Sequence, residues 1–294
     1  MHVRLGQKLH TKLFLWHQLL HQTPFCEAFS LSSSAMIARG FGQPSILPQR
    51  LNIRLASFAR SRRPRARHLG TMAESQDAIV QALKEHTTCD VSDALCKLKY
   101  RNGGFLSGLT MWSPQRQDGP TKIVGPAYTV KYVPLDDPAP KHPTHYIDSV
   151  PKGAVVFVSC PAKTPNAVYG GLMSMRAQYS GAVGSIIDGR FRDLQEQREL
   201  GYPIFARDVG TAPPAELLKV AAVDVAVKLQ TDEQDMEIRP GDYLIADMNG
   251  VVVLPVELAE KALPLMKKQV EADDKMAVEI KKGMSFTEAS KKFR

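Results

Sequence analysis

The stretch from residue 154 to residue 206 constrains the fold most strongly, because strand and helix patterns alternate along it. Residues 154–160 (AVVFVSC) form a continuous apolar run, as expected for a strand buried on both faces. The pattern that follows predicts a helix over 168–180, a strand over 182–187, a helix over 191–200 and a strand near 204–206. Such alternation predicts βαβ units and therefore an α/β fold with parallel strands.

The rest of the folded part has less regular patterns. Apolar spacing and turn residues predict helices over 73–85, 91–98 and 256–282, strands over 122–133 and 223–229, a β-hairpin over 240–255, loops over 101–119 and 135–144, and a last helix from Ser285. Gly125-Pro126 predicts a bulge or bend within its strand. Asn249-Gly250 supplies the positive-φ residues that a tight hairpin turn prefers. Asp188-Gly189 predicts a turn after the strand over 182–187.

Residues 1–71 differ in composition from the rest of the chain. They hold eleven Lys and Arg residues and one acid, Glu27, so their net charge is +10. Because the whole chain carries +8, the remaining residues carry a net charge of −2. A basic, acid-poor and Ser-containing leader is typical of a mitochondrial transit peptide. The alternatives are an optional extension before a start at Met72 and a disordered basic tail. The leader therefore gives no information about the fold, and the expected location is mitochondrial if the leader is a transit peptide, or else cytoplasmic.

Charge, cysteine content and hydropathy exclude several classes of protein. The basic character lies in the leader, so it gives no support for nucleic-acid binding by the folded part. The four cysteines form no CxxC pair, which favours a reducing compartment. No apolar run approaches the roughly 20 residues that span a bilayer, so we expect no membrane association. The sequence contains no Walker A, GxSxG, HExxH or GxGxxG pattern.

A glycine pair, Gly170-Gly171, begins the helix predicted over 168–180. Glycine allows a ligand to approach the backbone, and the free N–H groups of a helix start attract a carboxylate or phosphate. The alternative is that both glycines serve only the close packing of helix against strand. The residue pattern alone does not decide between the two.

Charged residues follow the next predicted strand at the point where open α/β folds place their ligands. Arg192 is suited to binding a carboxylate, and Asp193 and Glu196 stand three residues apart, so that on a helix both face one side. Two converging carboxylates suit Mg²⁺ or Mn²⁺. The alternative is an acidic helix start with Arg192 in a surface ion pair. His142 and His145 have a proline between them, which argues against a helical metal-binding pair.

This stretch resembles the RraA-like family, which includes the 4-hydroxy-4-methyl-2-oxoglutarate/4-carboxy-4-hydroxy-2-oxoadipate aldolases and regulators of ribonuclease activity. The aldolase signature is a Gly, twenty residues, Arg-Asp, two residues and an acid. Gly171, Arg192-Asp193 and Glu196 match it without a gap. Further family-like segments are VSDAL (91–95), VGPAYTV (124–130), SIIDGRFRD (185–193) and PGDYLIADMNGVVVLP (240–255).

The resemblance implies a compact swivelling β/β/α domain and a metal-dependent C–C lyase acting on small 2-oxo acids. By this implication the domain spans 72–256, with C-terminal helices over 257–294. The substrate-binding residues would be Gly170, Gly171, Leu172, Met173 and Arg192, the catalytic residues Arg192, Asp193 and Glu196, and the Mg²⁺ or Mn²⁺ ligands Asp193 and Glu196. Arg192 would balance the charge of a pyruvate enolate, and oxaloacetate decarboxylation is an expected companion activity because it passes through the same enolate.

The resemblance also implies a homotrimer, or a multiple of one, with sites at subunit interfaces. Asp93 and Asp247 lie in family-like segments and are candidates to contribute across an interface; the alternative is that they cap a helix and a hairpin. The proline-rich insertion over 134–143 lies outside the common core. We expect it to change the access of the substrate to the site, so the resemblance does not determine which oxo acid is preferred. Two other functions stay open, a non-catalytic protein-binding regulator of a ribonuclease and a different chemistry, such as a hydrolase or isomerase, on the same site.

Overall fold

Residues 77–294 are described by a computed structural model, and the leader predicted over 1–71 lies outside them. The helices are α1 (77–84), α2 (Thr88–Lys97), α3 (Gly171–Tyr179), α4 (Leu194–Leu200), α5 (Val256–Lys281) and α6 (Phe286–Phe293). The strands are β1 (Phe105–Leu106), β2 (Thr110–Ser113), β3 (Ile123–Pro134), β4 (Val155–Ser159), β5 (Ala167–Tyr169), β6 (Gly184–Phe191), β7 (Ile204–Val209), β8 (Leu218–Val223), β9 (Val227–Lys228), β10 (Glu237–Ile238), β11 (Tyr243–Asp247) and β12 (Gly250–Leu254). Short 3-10 helices cover Arg101–Gly104, Tyr146–Ser149 and Pro214–Glu216.

Most of these strands belong to one ten-stranded mixed sheet. Its order is β1-β12-β11-β3-β4-β6-β7-β2, with β5 paired to β6 and β8 paired to β3, while β9 and β10 form a separate pair. The centre is parallel, since β3, β4, β6 and β7 run in one direction and β5 runs parallel to β6. The other pairs, including the β11–β12 hairpin, are antiparallel. The predicted α/β fold is therefore confirmed.

The parallel centre of the sheet is covered on both faces. All five residues of β4 are buried, as its unbroken apolar sequence predicts. On one face the core includes Ala177 of α3 together with side chains of β4 and β6, and Leu194 and Leu200 of α4 pack against it. The opposite face packs against β9, β10 and the β1 region. The helices α3 and α4 thus hold the chain that follows β5 and β6 against one side of the sheet.

Three predicted elements around the central sheet are corrected by the structure. The turn predicted at Asp188-Gly189 is wrong, because β6 continues through both residues to Phe191. The Asp188 side chain is fully buried there and accepts hydrogen bonds from Arg207 Nε and the Gln230 amide, which offsets the cost of burying a carboxylate. The helix predicted from residue 168 begins at Gly171, because Ala167–Tyr169 is a strand. The helix predicted from residue 191 begins at Leu194.

Outside the centre, local sequence was also misleading at several points. The segment predicted as a loop over 101–119 contains β1 and β2, which pair with β12 and β7. The strand β3 passes through Gly125-Pro126 in regular register with β11, without the predicted bulge. The strand predicted over 223–229 is divided into β8 and β9, with Asp224 in a positive-φ conformation between them. The hairpin over 240–255 is confirmed, although only Gly250 of the Asn249-Gly250 pair has positive φ.

The C-terminal helices pack onto the fold through α5. Its residues Ala259, Ala262 and Met266 are fully buried in a core shared with α1, α2 and the β11–β12 hairpin. The capping box predicted for the last helix is present, since the Ser285 side chain accepts from the Glu288 amide and Glu288 accepts from the Ser285 backbone. Among residues 77–294, no helix combines the length and hydrophobicity needed to cross a lipid bilayer.

Candidate active site

The candidate site lies at the carboxyl ends of two parallel strands. Gly170 follows β5 directly and Arg192 follows β6 directly, and the two strands are paired. The Arg192 amide donates to the Tyr169 carbonyl at 2.9 Å, which holds the two strand ends together. Side chains that leave a parallel sheet at this edge are well placed to meet one ligand. The fold therefore brings the glycine pair and the charged cluster together, although they are about twenty residues apart in the chain.

Asp193 is held in a left-handed backbone conformation by this arrangement. Its φ is 64° and its ψ is 40°, so it precedes α4 instead of lying inside a helix as predicted. Asp tolerates this conformation better than most residues do, but at a cost of about 1 kcal/mol. Its Oδ2 accepts a hydrogen bond of 2.9 Å from the Gly171 amide, and Arg192 Nε lies 3.6 Å from the same oxygen. The carboxylate is thereby fixed above the first turn of α3.

Glu196 reaches the same place from the first turn of α4. A methyl group on Gly171 would overlap Glu196 Oε2, and one on Gly170 would lie 2.7 Å from Asp193 Oδ2. Both carboxylates therefore lie against the backbone of the glycine pair, in space that any side chain would fill. This close approach is available because neither position carries a side chain.

The amides at the start of α3 are only partly available to a ligand. The Gly171 amide donates to Asp193, and the Met173 amide donates to the Gly170 carbonyl at 3.0 Å. The Leu172 amide has no acceptor among the described residues. Within the predicted binding segment 170–173, the Leu172 N–H at the start of α3 is therefore free to donate a hydrogen bond to a bound oxyanion.

A cavity of about 500 Å³ opens over this cluster. The predicted residues on its wall are Gly170, Leu172, Met173, Arg192, Asp193 and Glu196. The rest of the lining comprises Tyr132, His145, Tyr146, Ala167, Val168, Tyr169 and Pro214. The sequence pattern singled out His145 only as one of a histidine pair considered for a metal, and it gave no indication of the two tyrosines. Tyr146 joins the lining through the 3-10 helix Tyr146–Ser149 that follows the proline-rich loop, and no local sequence pattern indicates this.

A buried hydroxyl network supports the floor of the cavity. The Tyr169 hydroxyl lies 2.9 Å from Ser185 Oγ, which is also 3.1 Å from the Tyr202 hydroxyl. All three residues are buried, and burial raises the pKa of Tyr169 to about 12. Tyr169 therefore stays neutral, and its hydroxyl contact with Ser185 holds the residue that directly precedes Gly170.

The family resemblance implies a Mg²⁺ or Mn²⁺ ion, for which the site offers two protein carboxylates. Among the described residues no group of three or more His, Cys, Asp or Glu side chains is arranged around one metal position. Asp193 and Glu196 provide two carboxylates at the glycine cradle. Mg²⁺ commonly takes one or two protein carboxylates and keeps several waters, whereas structural zinc takes four protein ligands. The residues present therefore fit a hard divalent cation.

The other candidate residues lie outside this cavity. The Asp247 carboxylate accepts from the Thr88 amide at 2.9 Å and from the Thr88 hydroxyl at 2.7 Å, so it caps the start of α2, and it also accepts from the Asn249 amide in the hairpin turn. Asp93 is exposed within α2. His142 Nδ1 lies 2.8 Å from the Thr144 carbonyl and is not part of the cavity wall. Asp247 therefore holds the hairpin turn, as its alternative role predicted, and it also caps the start of α2.

Replacing Gly171 with alanine is expected to lower activity without loss of stability. The added methyl group displaces the flexible end of Glu196, while alanine favours the helix by up to about 1 kcal/mol relative to glycine. Changing a residue that positions a metal ligand typically costs 10- to 100-fold, so we expect about that fall in kcat/KM. Gln178→Ala, at an exposed position of the same helix, is the matched control. Unchanged kcat/KM in Gly171→Ala would contradict the placement of Glu196.

The fold and the site together define an α/β protein with an arginine–carboxylate cluster at the ends of parallel strands. The model of the RraA-like family, described as Aldolase/RraA, matches residues 88–253. The chain therefore belongs to the RraA-like family.

Individual relatives agree with this assignment. Protein DlpA of Legionella pneumophila subsp. pneumophila strain Philadelphia 1 is 28% identical over 185 residues, which cover 62% of this chain and 28% of DlpA. A 4-hydroxy-4-methyl-2-oxoglutarate aldolase of Thermus thermophilus is 31% identical over 103 residues, which cover 35% of this chain and 60% of that protein. The match thus spans less than two thirds of the length of either relative.

Solved structures show the same fold. An uncharacterized protein from Pseudomonas syringae pv. tomato strain DC3000 is 28% identical, with a TM-score of 0.62 over 73% of this chain and 97% of that one. RraAS2 of Streptomyces coelicolor, an unusual member of the RNase ES inhibitor RraA protein family, is 26% identical. Its TM-score is 0.57, and the match covers 71% of this chain and 96% of RraAS2. The family therefore includes proteins named as aldolases and proteins named as ribonuclease inhibitors.

Proposed function

We propose that this chain is a divalent-metal-dependent lyase that cleaves 4-hydroxy-4-methyl-2-oxoglutarate-type 2-oxo acids to pyruvate. The observation that carries the proposal is the convergence of Arg192, Asp193 and Glu196 on the Gly170-Gly171 backbone within one cavity. Relatives named as aldolases of this substrate support the choice of reaction. Oxaloacetate decarboxylation is proposed as a second activity of the same site.

Arg192 is the residue proposed to hold the 2-oxo acid. Among the described residues it is the one Lys or Arg side chain on the wall of this cavity, and about two fifths of the side chain is exposed. A guanidinium can bind a carboxylate with two parallel hydrogen bonds, and its charge stabilises negative charge that develops on a neighbouring oxygen. The free Leu172 amide adds a donor from the helix start. Together they favour a bound oxyanion over a neutral group.

Asp193 and Glu196 are the residues proposed to hold Mg²⁺ or Mn²⁺. When bound, such an ion supplies Lewis-acid withdrawal of electrons from the 2-oxo group. The Gly171 amide fixes one oxygen of Asp193 and leaves the other free. The left-handed conformation at Asp193 aims this carboxylate back over the glycine pair, away from its own helix.

The proposed reaction balances without an added oxidant or reductant. A base takes the proton of the C4 hydroxyl, and the C3–C4 bond breaks. The bonding electrons move to the 2-oxo fragment as an enolate beside Arg192. Protonation at C3 gives pyruvate, and the other fragment becomes a second pyruvate. Loss of CO₂ from oxaloacetate gives the same enolate, so one arrangement of charges serves both reactions.

The test is a pyruvate-release assay on 4-hydroxy-4-methyl-2-oxoglutarate and on oxaloacetate, with Mg²⁺ and again after removal of metal by a chelator. We expect release from both substrates, loss on chelation and recovery when Mg²⁺ or Mn²⁺ is restored. Two pyruvates should form for each 4-hydroxy-4-methyl-2-oxoglutarate consumed. Absence of release from either substrate at any metal concentration would refute the proposal.

A protein-binding regulator is the second candidate, and the likeness to RraAS2 favours it. Such a role does not depend on the charges of the cavity. If it is correct, an Arg192→Ala variant captures a ribonuclease as well as the wild-type chain does, and neither form releases pyruvate. If the wild type releases pyruvate and captures a ribonuclease while Arg192→Ala does neither, a purely non-catalytic role is excluded.

We also propose that the chain assembles as a homotrimer through the outer face of α3. Three large apolar side chains on this helix are exposed, Leu172 at 71%, Met175 at 57% and Tyr179 at 87%. Their spacing of three and four places them on one helix face, and Leu172 also lines the cavity. The mass from light scattering should be about three times that of one chain, and Tyr179→Glu should reduce it. A monomeric wild-type chain would contradict the proposal.

A further inference from the structure

Apart from Arg192 and the two carboxylates, the lining of the cavity is nearly apolar. Tyr132, Tyr146 and Val168 are buried side chains there. The Tyr132 hydroxyl is occupied, because it donates to the Val168 carbonyl at 3.3 Å. The Tyr146 hydroxyl has no hydrogen-bond partner among the described residues, but its oxygen is buried and exposes almost no surface to a ligand. The exposed polar side chain in this part of the lining is therefore that of His145.

His145 is held in place by two contacts. Its ring stacks on that of Tyr146, with centroids 4.8 Å apart and planes 28° from parallel. Its Nδ1 accepts from the Ile147 amide at 3.4 Å and so caps the 3-10 helix Tyr146–Ser149. A ring nitrogen that accepts a hydrogen bond leaves the proton on the other nitrogen. Nε2 of His145 therefore carries an N–H, whether the ring is neutral or charged.

The distribution of charge in the cavity indicates which group of a substrate the Nε2–H of His145 can bind. Arg192 is the single Arg or Lys among the described residues that line it, and Asp193 and Glu196 are negative. A substrate with one carboxylate is satisfied by Arg192. A substrate with a second carboxylate needs another donor, because an unpaired carboxylate against an apolar wall is costly. Among the other lining residues, His145 has the exposed polar side chain that can supply it.

We propose that the Nε2–H of His145 binds the second carboxylate of a dicarboxylic 2-oxo acid and so selects dicarboxylates over monocarboxylates. This proposal rests on the proposed function, since it assumes that Arg192 binds the 2-oxo acid end. It makes His145 a specificity-determining residue that contacts the part of the substrate remote from the metal. The apolar surface of Tyr132 and Tyr146 then packs against the carbon chain between the two ends.

The test uses two ligands of equal chain length, 2-oxoglutarate and 2-oxopentanoate, which differ only in a terminal carboxylate or methyl group. Neither has a C4 hydroxyl, so neither undergoes the cleavage. Dissociation constants are measured by calorimetry with Mg²⁺ for the wild type and for His145→Phe, whose ring keeps the stack on Tyr146. His142→Phe, on the same loop but outside the cavity wall, is the matched control. Melting temperatures show that each variant is folded.

We expect the wild type to prefer 2-oxoglutarate and His145→Phe to bind it about tenfold more weakly, as for the loss of a hydrogen bond to a charged group. Binding of 2-oxopentanoate should not change in either variant. His145→Gln, which keeps an N–H donor, should fall between the wild type and His145→Phe. Equal affinities of the wild type for both ligands, or an unchanged preference in His145→Phe, would overturn this proposal alone. Binding of neither ligand by the wild type would overturn the proposed function with it.

Discussion

Replacing Asp193 with asparagine is expected to lower pyruvate release by roughly 10²–10³-fold while the chain stays folded. Asparagine also tolerates the left-handed conformation that Asp193 adopts, and its Oδ1 can accept the hydrogen bond from the Gly171 amide. What it lacks is the negative charge. The variant therefore removes a proposed metal ligand without the strain or lost hydrogen bond that alanine would add. The measurements are kcat/KM with saturating Mg²⁺ and the melting temperature.

Asp224→Asn is the matched control for this substitution. Asp224 also has a positive φ, of 54°, but it is exposed and lies outside the cavity wall. We expect it to retain full activity and stability. Full activity in Asp193→Asn, or an equal loss in Asp224→Asn, would show that Asp193 has no special part in the chemistry.

Replacing Arg207 with methionine is expected to cause a large loss of stability. Its Nε donates to Asp188 Oδ1 at 2.6 Å, and the Asp188 side chain has no exposed surface. Breaking a buried pair by removing one partner costs about 3–5 kcal/mol, because the other charge stays buried and unpaired. Arg207 keeps 27% of its side chain exposed, so we expect the lower end, about 3 kcal/mol in the free energy of unfolding at pH 7.

The loss of folding stability caused by Arg207→Met should depend on pH. Burial raises the pKa of Asp188 above its ordinary value, and Arg207 opposes that rise. Without Arg207 the pKa of Asp188 in the folded state rises further, while its pKa in the unfolded state stays at about 4. A carboxyl group with a raised folded-state pKa favours the folded state at low pH and disfavours it as the pH rises through that value. Denaturant unfolding should therefore show a large cost at pH 7 that shrinks as the pH is lowered towards about 4.

Arg190→Met is the control for this pair. Arg190 lies on the same strand as Asp188 and pairs with Asp208 at 2.6 Å, but both side chains are well exposed, at 39% and 46%. Exposed pairs contribute at most about 1 kcal/mol. Equal losses in Arg190→Met and Arg207→Met, or a cost that does not change with pH, would contradict the account of the buried pair.

The same pair shows where sequence reasoning about the fold reached its limit. The alternation over 154–206 predicted the parallel centre, because buried strands and amphipathic helices have different periods. It did not predict that β6 continues through Asp188-Gly189, since Asp-Gly in isolation favours a turn. The carboxylate is tolerated in the strand only because Arg207 and the Gln230 amide meet it there. Those partners come from β7 and a distant loop, which local pattern does not show.

The candidate site was predictable to a similar extent. Spacing from Gly171 to Glu196 identified the residues that converge on the glycine pair, because it reflects two strand ends and two helix starts. The left-handed conformation of Asp193 and the occupied Gly171 amide were not predictable, since they depend on how the two strand ends pair. His145 was missed as a member of the wall because a proline-rich loop has no periodicity that fixes its path.

The most direct test of the central claim is a crystal structure of the chain grown with Mn²⁺ and oxalate, a stable mimic of the pyruvate enolate. The anomalous signal of manganese locates the ion independently of any assay. We predict a peak beside the carboxylates of Asp193 and Glu196, with oxalate contacting Arg192 and the Leu172 amide. An empty cavity at Asp193, or a manganese peak only in the separate cavity lined by Asp188, Asp208 and Asp232, would contradict the account.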